Sequence, residues 1–588
     1  MTSDNMLMLP YGKTDFGAIR REGYYYVDKT RFIRQLEREG IFVFFLRPRR
    51  FGKSLMLAVL QAYYDVKYRD QFDILFGGLD IYRNPTSKHN TYLVLKFNFS
   101  GVDSDPENVL ESFNKDVLFS LQSFVHRYED LLPAGTSEQL VTYTHSDEAM
   151  KYIMEQTQRS GHLIYLMIDE YDNFANTLMS ENEDDYRTIT HGIGQFRLFF
   201  NILKLATTGM DSPIDRMFIT GVSPLTLSDV TGGFNIGDNF SLLADYNEMV
   251  GFTEDEVRKM LEYYRDKTGV FKHTVDELLE MMRPWYDNNC FSADRIGEQH
   301  MFNSGMTLYF LKQYLARKGG IPYAMIDMNI RSDYNKMRRM VRMEKTFGEK
   351  GQIIQRIFED RSTPGILIPE FSIEDLLVAE NLTSHLFYMG LLTYGFDKYG
   401  RPGFIIPNLV VYEQYYRYMA DCYERCLSWH TDTNTINHLA YKMIDDGNAL
   451  PLLEYICQQV TAHSSVRDFD PQAEAFVKGF LLSKLGGTNN AYFVITTERE
   501  ENHGYSDLYM EPWNGLCRHC FLIELKYCKH GALDSEVEAR RQDAIKQLQR
   551  YTEDKALQQK VERMNWTLHK IAIVYRGWMC ELVEELPI

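Results

Sequence analysis

A short stretch near the N-terminus combines glycine, lysine and hydroxyl residues in the order that phosphate binding requires. After the apolar run from Ile41 to Leu46 it reads Arg47-Pro48-Arg49-Arg50-Phe51-Gly52-Lys53-Ser54. A helical pattern from Leu55 to Tyr64 follows, so backbone N–H groups at the helix start would face the phosphates of a nucleotide, aided by the helix dipole. In such a P-loop the lysine reaches the β and γ phosphates and the hydroxyl binds Mg²⁺. The sequence therefore predicts an ATP site formed by the last five residues (Arg50, Phe51, Gly52, Lys53 and Ser54).

Two acidic residues at the end of a second apolar run complement this loop. The run Leu163–Ile168 is followed directly by Asp169 and Glu170. At the end of a buried parallel strand, Asp169 would hold Mg²⁺ through water and Glu170 would polarise the attacking water. The alternative is a buried strand with two solvated acids at its end.

A third run, Met217–Ser223, offers hydroxyls for the same site. Thr220 or Ser223 would serve there as a polar sensor near the γ-phosphate. A hydroxyl that caps the following turn is an equally good interpretation.

A separate group of acids and lysine lies near the C-terminus. Asp507 precedes the strand pattern Phe521–Lys526, in which Glu524 and Lys526 lie on one face because side chains alternate along a strand. If the two segments form a hairpin, Asp507 meets Glu524, and the pair would hold Mg²⁺ or Mn²⁺, with Glu474 from an upstream helix completing the shell. Lys526 would then orient the attacking water in metal-assisted phosphodiester hydrolysis. The alternative is an ordinary amphipathic strand that exposes Glu524 and Lys526.

Cysteines and histidines at both ends of this strand suggest a competing zinc site. They are Cys517, His519 and Cys520 at one end and Cys528 and His530 at the other. The intervening strand separates its ends by roughly 25 Å, which is too far for one zinc ion.

Strand and helix patterns place these residues in an α/β multidomain chain. Apolar strands (Phe42–Leu46, Tyr92–Phe99, Leu163–Ile168, Met217–Val222) alternate with helical patterns (Pro106–His126, Ser146–Arg159), which is typical of a parallel sheet with helices on both faces. The predicted domains are a P-loop core (1–252), a helical extension (253–369) that opens with a capping box at Thr253, a winged-helix-like module (370–427) and a C-terminal domain (438–588). The module would contain a hairpin with strands Gly390–Phe396 and Phe404–Ile406. The polar stretch Ser428–Asn437 is the predicted linker.

Composition limits the partners. The net charge of −18 argues against a non-specific basic coat for nucleic acid, so we expect any contacts to be local. One basic stretch offers either a phosphate-contacting surface or a solvated helix face (Arg331, Lys336, Arg338, Arg339, Arg342 and Lys345). With no apolar window long enough to span a membrane and eight unevenly spaced cysteines, we expect a cytoplasmic protein without membrane contact.

Residues 7–420 resemble the AAA-ATPase-like family found in many anaerobic bacteria. The resemblance rests on the opening from Leu9 to Gln35, including Asp28-Lys29-Thr30, and on Arg-Pro-Arg-Arg-Phe-Gly-Lys-Ser at 47–54, so Arg47 departs from the general P-loop but not from this family. Gly251-Phe252-Thr253 and Trp285-Tyr286-Asp287 also match, whereas Asn288-Asn289-Cys290 and Phe302-Asn303-Ser304 depart. The resemblance implies an ATP-binding P-loop domain with residues 28–30 near it; a turn and a helix N-cap explain those three residues equally well.

The C-terminal set resembles the PD-(D/E)XK nuclease superfamily, in the branch fused behind AAA-ATPase-like domains. Glu474 matches the helix acid, Asp507 the central acid, Glu524-x-Lys526 the E-x-K pair, and Gln547 with Tyr551 the Q-x-x-x-Y helix. Tyr505 stands where the family often has arginine. The resemblance implies a restriction-endonuclease-like α/β domain.

Together these patterns predict an ATP-binding protein, expected to be an ATPase, coupled to Mg-dependent cleavage of nucleic acid, with DNA favoured. The alternative is a nucleotide-operated switch whose C-terminal fold only binds nucleic acid or protein. A homo-oligomer or a protein partner stays open.

Overall fold

The computed structural model describes most of the chain in two compact units. The described residues are 6–103, 105, 107–173, 195–208, 211–224, 237–322, 324–327, 349–369, 371, 378–426, 432–463, 473–489, 492–501, 504–513 and 515–587. The first unit comprises Met1–Gly320 and Pro364–Asn408, and the second comprises Ile321–Thr363 and Leu409–Ile588. The predicted basic stretch at 331–345 lies outside the described residues.

Strands and helices alternate along the first half of the chain. Its strands, and those of the second half, are β1 (Phe42–Leu46), β2 (Leu93–Asn98), β3 (Ile164–Asp169), β4 (Ile214–Gly221), β5 (Asp238–Asn239), β6 (Ser362–Thr363), β7 (Thr393–Phe396), β8 (Pro402–Ile405), β9 (Phe493–Glu501), β10 (Gly504–Pro512), β11 (His519–Cys528), β12 (Thr567–Arg576) and β13 (Met579–Leu586). The helices are α1 (Phe16–Arg21), α2 (Arg31–Glu39), α3 (Lys53–Tyr64), α4 (Phe72–Phe76), α5 (Asp80–Arg83), α6 (Val109–Arg127), α7 (Thr136–Leu140), α8 (Ser146–Ser160), α9 (Gln195–Ala206), α10 (Glu254–Thr268), α11 (Val275–Tyr286), α12 (Ser304–Ala316), α13 (Glu349–Asp360), α14 (Ala379–Tyr388), α15 (Leu409–Cys426), α16 (Thr433–Asp446), α17 (Leu450–His463), α18 (Ala473–Asn489), α19 (Asp534–Thr552) and α20 (Lys555–Met564).

A five-stranded parallel sheet forms the core of the first unit, in the order β2-β3-β4-β1-β5. The four long strands confirm the predicted ones to within a few residues. Helix α3 packs on one face, where its side chains join a core that includes Tyr165 and Met167 of β3. Helices α6 and α9 cover the other face, because Phe97 of β2 contacts Phe199 of α9, which in turn contacts Phe113 of α6. Helices on both faces of a parallel sheet confirm the predicted architecture.

The strand register gathers the predicted nucleotide residues at one edge of this sheet. Leu46, the last residue of β1, pairs with Gly221, the last residue of β4, and Asp169 ends β3 opposite Asn98. Because all four strands are parallel, their carboxyl ends meet at this edge, which is where ligands of open α/β sheets bind.

The second unit contains a mixed sheet in the order β13-β12-β11-β10-β9. Strands β9, β10 and β11 form an antiparallel meander, while β11 and β12 are parallel and are joined by α19 and α20. Helix α19 packs on the sheet through Leu548 and Tyr551, which share a core with Leu522 of β11. Since side chains alternate along β11, Glu524 and Lys526 lie on the same face as Leu522, beneath α19.

Some local predictions differ from the structure. Helix α3 begins at Lys53, two residues before the predicted start, so that Gly52 is its N-cap. Strand β8 begins at Pro402, two residues before the predicted start at Phe404. The linker prediction is wrong from residue 433 onward, since α16 begins at Thr433 and the Asp432 side chain caps it by accepting hydrogen bonds from backbone N–H groups. Polar residues that favour a loop also favour a helix N-cap, which explains the error.

The capping box at the start of α10 is confirmed, with Thr253 and Glu256 bonding each other's backbone N–H. Within the described residues, no helix has both the length and the apolar character needed to cross a bilayer.

Candidate active sites

The loop between β1 and α3 holds its lysine folded back over the backbone. Gly52 adopts a left-handed conformation, with φ of 102°, which glycine tolerates best. Lys53 Nζ donates hydrogen bonds to the carbonyl oxygens of Arg47 and Pro48, at 2.8 and 3.0 Å. Burial lowers the pKa of Lys53 to about 8, and the negative charge of Asp169 opposes this shift. The ammonium therefore lies at the start of α3, inside the loop and in the field of the β3 acids.

Asp169 and Glu170 lie at the end of β3. Asp169 is buried, and among the described residues its Oδ1 has no hydrogen-bond partner. A buried carboxylate oxygen without a partner is costly, and a cation with its water shell supplies what it lacks. The donor set of Ser54 and Asp169 therefore fits Mg²⁺. Glu170 has a positive φ of 49°, an uncommon conformation for a residue with a side chain that is frequent at functional sites.

Asp172 fixes the geometry of this edge and was not predicted. Its buried carboxylate accepts hydrogen bonds from the backbone N–H groups of Val222 and Ser223, with Asp172 Oδ2 at 3.1 and 2.7 Å from the two nitrogens. The chain after β3 is thereby tied to the chain after β4. In the sequence, Asp172 looks like one more solvated loop acid, because it lacks the position directly after an apolar run that marks Asp169.

The two hydroxyls predicted as sensors have partners in the protein. The Thr220 hydroxyl is buried and donates to the Phe45 carbonyl oxygen at 2.7 Å, so it bridges β4 and β1. Ser223 Oγ lies 3.5 Å from Nδ1 of His385. A role as γ-phosphate sensor stays a prediction for both residues.

Arg47 is built into the core instead of the loop surface. Its guanidinium lies between the rings of Phe45 and Phe291, 4.3 Å from each centroid. It donates to the carbonyl oxygens of Ser241 and Tyr246, at 2.5 and 3.0 Å, and to that of Leu46. Burial lowers its pKa to about 9. The side chain that replaces the usual glycine therefore anchors the start of the loop.

The start of α12 holds the other end of the loop. Ser304 Oγ and the Gly305 N–H both donate to the Arg50 carbonyl, at 3.0 and 3.1 Å, and the Gly251 N–H donates to the Phe51 carbonyl at 2.7 Å. Asn303 caps α12 through the N–H of Met306. The segment Phe302-Asn303-Ser304, which departs from the family pattern, thus supports the loop backbone.

The segment Asp28-Lys29-Thr30 makes contacts within the protein. Asp28 accepts from the Thr30 N–H and hydroxyl, at 2.8 and 2.7 Å, which matches the turn interpretation. Lys29 is buried and bonds Glu256 of the α10 capping box at 2.7 Å.

In the second unit, the Asp507 and Glu524 carboxylates each accept a hydrogen bond from a backbone N–H of the neighbouring strand. The β10–β11 pairing places Leu508 opposite Ile523, and one further step in this register places Asp507 opposite Glu524. There, the Asp507 N–H donates to Glu524 Oε2 at 3.4 Å, and the Leu525 N–H donates to Asp507 Oδ2 at 2.9 Å. The structure therefore brings the two predicted acids together.

Lys526 joins the same group. Its Nζ lies 2.7 Å from Glu524 Oε1, and the Glu524 side chain is only 3% exposed. Burial raises the pKa of Glu524 to about 7; the nearby Asp507 charge adds to the rise and Lys526 opposes it. A mostly buried carboxylate beside a second one fits a divalent cation, whose charge would offset both.

Lys478 of α18 also reaches this group and was not predicted. Its Nζ lies 3.1 Å from Asp507 Oδ1. Glu474, the predicted third acid, lies one turn earlier on the same helix, and its side chain is outside the described part of the structure. The lysine was visible in the sequence, but only the packing of α18 reveals its partner.

Helix α19 supplies the predicted Gln547 and Tyr551. Tyr551 is buried; burial raises the pKa of its phenol, and the Glu524 charge adds to the rise. Gln547 Oε1 is buried and has no partner among the described residues. Both therefore lie on the helix that covers the carboxylates.

The zinc alternative is not assembled. Cys517 bonds the Ile444 carbonyl and Cys520 the Thr567 carbonyl, while Cys528 ends β11 at its far side. No group of three potential metal ligands is found among the described residues, which do not include the Glu474 side chain. His519 instead bonds His569, with 2.9 Å between their nitrogens.

A Gly-Lys-Ser loop near strand-end acids is the arrangement of P-loop proteins, and a mixed sheet with paired carboxylates and a lysine is that of PD-(D/E)XK-like domains. Family comparison agrees. Residues 10–231 match a family model described as "Predicted AAA-ATPase", and residues 472–585 match one described as "PD-(D/E)XK nuclease superfamily". These matches confirm the predicted architecture.

The chain is also similar to a protein described as "Uncharacterized protein in vnfD 5'region" from Azotobacter chroococcum mcd 1. The two are 27% identical over 254 residues, which is 42% of this chain and 44% of that protein. The chain thus spans less than half the length of this relative.

Proposed function

We propose that the protein binds and hydrolyses Mg-ATP in its first unit and couples this to metal-dependent phosphodiester cleavage of nucleic acid, with DNA favoured, in its second. The observation that carries the proposal is that Glu524 accepts a hydrogen bond from the Asp507 N–H and Asp507 accepts one from the Leu525 N–H, with Lys526 beside Glu524. This combination supports metal-assisted hydrolysis, because two carboxylates hold a cation and a lysine orients water. A cytoplasmic location is part of the proposal.

In the first unit, Lys53 and the first N–H groups of α3 would bind the phosphates, and Ser54 with Asp169 would hold Mg²⁺. Glu170 would orient and polarise the attacking water. The described residues assign no arginine finger to this site. Such a residue contributes roughly 10³–10⁵ in rate, so the isolated chain should hydrolyse ATP slowly until a partner, a nucleic acid or a second copy supplies the missing charge.

The ATP part is tested with Lys53→Met and Glu170→Gln. Calorimetry should show that Lys53→Met abolishes ATP binding, because the charge facing the phosphates is lost. Glu170→Gln should bind ATP with wild-type affinity and lose turnover. The control is Lys88→Met, which removes a partly exposed lysine paired with Asp215. Equal ATP affinity of the wild type and Lys53→Met would refute this part.

In the second unit, Asp507, Glu524 and Glu474 would hold the metal, which lowers the pKa of bound water and stabilises charge on the phosphate. Lys526 would hold the attacking water in position, with Glu524 keeping its ammonium in place. Gln547 and Tyr551 would close the site from α19.

A panel of duplex and single-stranded DNA and RNA tests cleavage, with Mg²⁺ or Mn²⁺ and with or without ATP. Asp507→Asn and Lys526→Met should abolish cleavage and leave the circular dichroism spectrum unchanged. Lys442→Met, at an exposed position of α16, should cut normally. Cleavage that persists in Asp507→Asn would contradict the assignment.

The second candidate is a nucleotide-operated switch whose C-terminal domain only binds nucleic acid or protein. The specific observation in its favour is that both carboxylates are already paired with lysines, Asp507 with Lys478 and Glu524 with Lys526. Binding of nucleic acid without cleavage under any metal, together with wild-type binding by Asp507→Asn, would favour the switch.

A further inference from the structure

The carboxylate pair has a second lysine that the proposed reaction does not use. Lys478 lies on α18, on a different element from Lys526, and its ammonium is 3.1 Å from Asp507 Oδ1. The two side chains are 17% and 22% exposed, so the pair is largely shielded but still reaches solvent. Asp507 thus carries its own cation in the structure, separate from the Glu524–Lys526 pair.

A divalent cation bound by Asp507 would share this carboxylate with the Lys478 ammonium. Asp507 Oδ2 already accepts the Leu525 N–H, so Oδ1 is the atom with a side-chain cation as its partner. An ion bound to Asp507 places a second positive charge within a few ångströms of the ammonium, and like charges so close repel. The flexible four-carbon stem of a lysine lets its charge move without moving the helix.

We propose that Lys478 is a mobile counter-charge: it neutralises Asp507 in the metal-free protein and, once a divalent cation occupies the carboxylates, contacts a backbone phosphate of the bound nucleic acid. This inference rests on the proposed metal site and adds to it a residue that positions the substrate. A bound phosphodiester brings negative charge close to the displaced ammonium, and a lysine is a suitable partner for it.

The first measurement is calorimetric titration of Mn²⁺ into the full chain without nucleic acid. Lys478→Met should bind Mn²⁺ roughly 3- to 10-fold more tightly than the wild type, or about 0.7–1.4 kcal/mol, because the competing charge is gone. Lys478→Arg should keep the wild-type affinity or weaken it. The control is Lys484→Met on the same helix, whose lysine pairs with Glu424 at 2.6 Å, away from the carboxylates; its Mn²⁺ affinity should equal that of the wild type.

The second measurement is the salt dependence of binding to a short DNA duplex, in a Lys526→Met background so that the duplex is not cut. With Mn²⁺, adding Lys478→Met should reduce the slope of log K against log salt by about 0.9, the loss of one phosphate contact. In EDTA the two slopes should be equal, because Lys478 is then held by Asp507.

The outcomes separate this inference from the proposed function. If the wild type binds Mn²⁺, Asp507→Asn does not, and Lys478→Met leaves both the affinity and the slope unchanged, Lys478 is a structural ion pair and the inference is wrong while the metal site stands. If the wild type binds no Mn²⁺, both are wrong. A slope change of the same size in EDTA also overturns the inference, because Lys478 would then contact phosphate without being displaced.

Discussion

Replacing Arg47 by methionine should weaken the first unit and loosen the nucleotide loop together. The substitution keeps a long apolar side chain but removes a guanidinium that donates to the carbonyls of Leu46, Ser241 and Tyr246 and lies between two aromatic rings. Hydrogen bonds from a charged donor contribute about 1.5–3 kcal/mol each, and each ring contact about 0.5–2 kcal/mol. Removing the buried charge also removes its desolvation penalty, which offsets several kcal/mol of this loss. The net loss should be about 2–5 kcal/mol.

That loss is a large part of the roughly 5–15 kcal/mol that stabilises a typical domain. Calorimetric unfolding of the full chain would measure it, with the transition of the first unit identified by its upward shift in saturating Mg-ATP, since a ligand stabilises only the unit that binds it. The transition should fall by roughly 3–7 °C, because a unit of this size has a large unfolding entropy. ATP affinity should also fall by roughly tenfold, about 1.4 kcal/mol, because the loop start is no longer anchored.

Arg216→Met is the matched control. Arg216 is also a buried arginine of the first unit that donates to backbone carbonyls, those of Gly40 and Glu37 at 2.9 and 2.8 Å, but it lies far from the loop in the β4 strand. It should lower the same transition and leave ATP affinity unchanged. If Arg47→Met unfolds at the wild-type temperature, or if both variants lose ATP affinity equally, the reasoning about the anchor is wrong.

Three further substitutions test the supporting contacts. Asp172→Ala removes the acceptor for the N–H groups of Val222 and its neighbour, so the unfolding free energy of the first unit should fall by about 2–3 kcal/mol, and ATP turnover should fall with it. Unchanged stability would contradict the idea that Asp172 holds the two strand ends together. Gly447→Ala places a Cβ 2.5 Å from His519 Nδ1, at a position whose φ is 73°. Urea unfolding should show that the unfolding free energy of the second unit falls by about 2–3 kcal/mol. An equally stable variant would show that this close approach is absent. Burial and the adjacent His569 lower the pKa of His519 below its usual value near 6.5. The unfolded chain therefore binds a proton more readily than the folded chain, and stability should fall as the pH drops below about 6.5. His519→Gln should reduce this loss of stability between about pH 7 and 5, and identical pH profiles of variant and wild type would rule the explanation out.

The sequence determined the elements that carry short-range signals. The apolar run before Gly52-Lys53-Ser54 and the run before Asp169 each specify a buried strand with polar residues at its carboxyl end, because burial on both faces requires uninterrupted apolar residues. Alternation in Phe521–Lys526 likewise assigned Glu524 and Lys526 to one face. The juxtaposition of Asp507 with Glu524 followed from a hairpin, whose pairing involves near neighbours in the chain.

Tertiary structure decided the partners that are distant in sequence. In the sequence, Arg47 is only a departure from a motif, and its role as an anchor appears once β1 lies beside the chain near Tyr246. Asp172 likewise looks like a solvated acid, and its role appears once the ends of β3 and β4 lie side by side. Lys478 meets Asp507 only because α18 packs against the sheet. Residue type and spacing do not predict such contacts, because the partner of a buried polar group depends on which remote elements pack within hydrogen-bond distance of it.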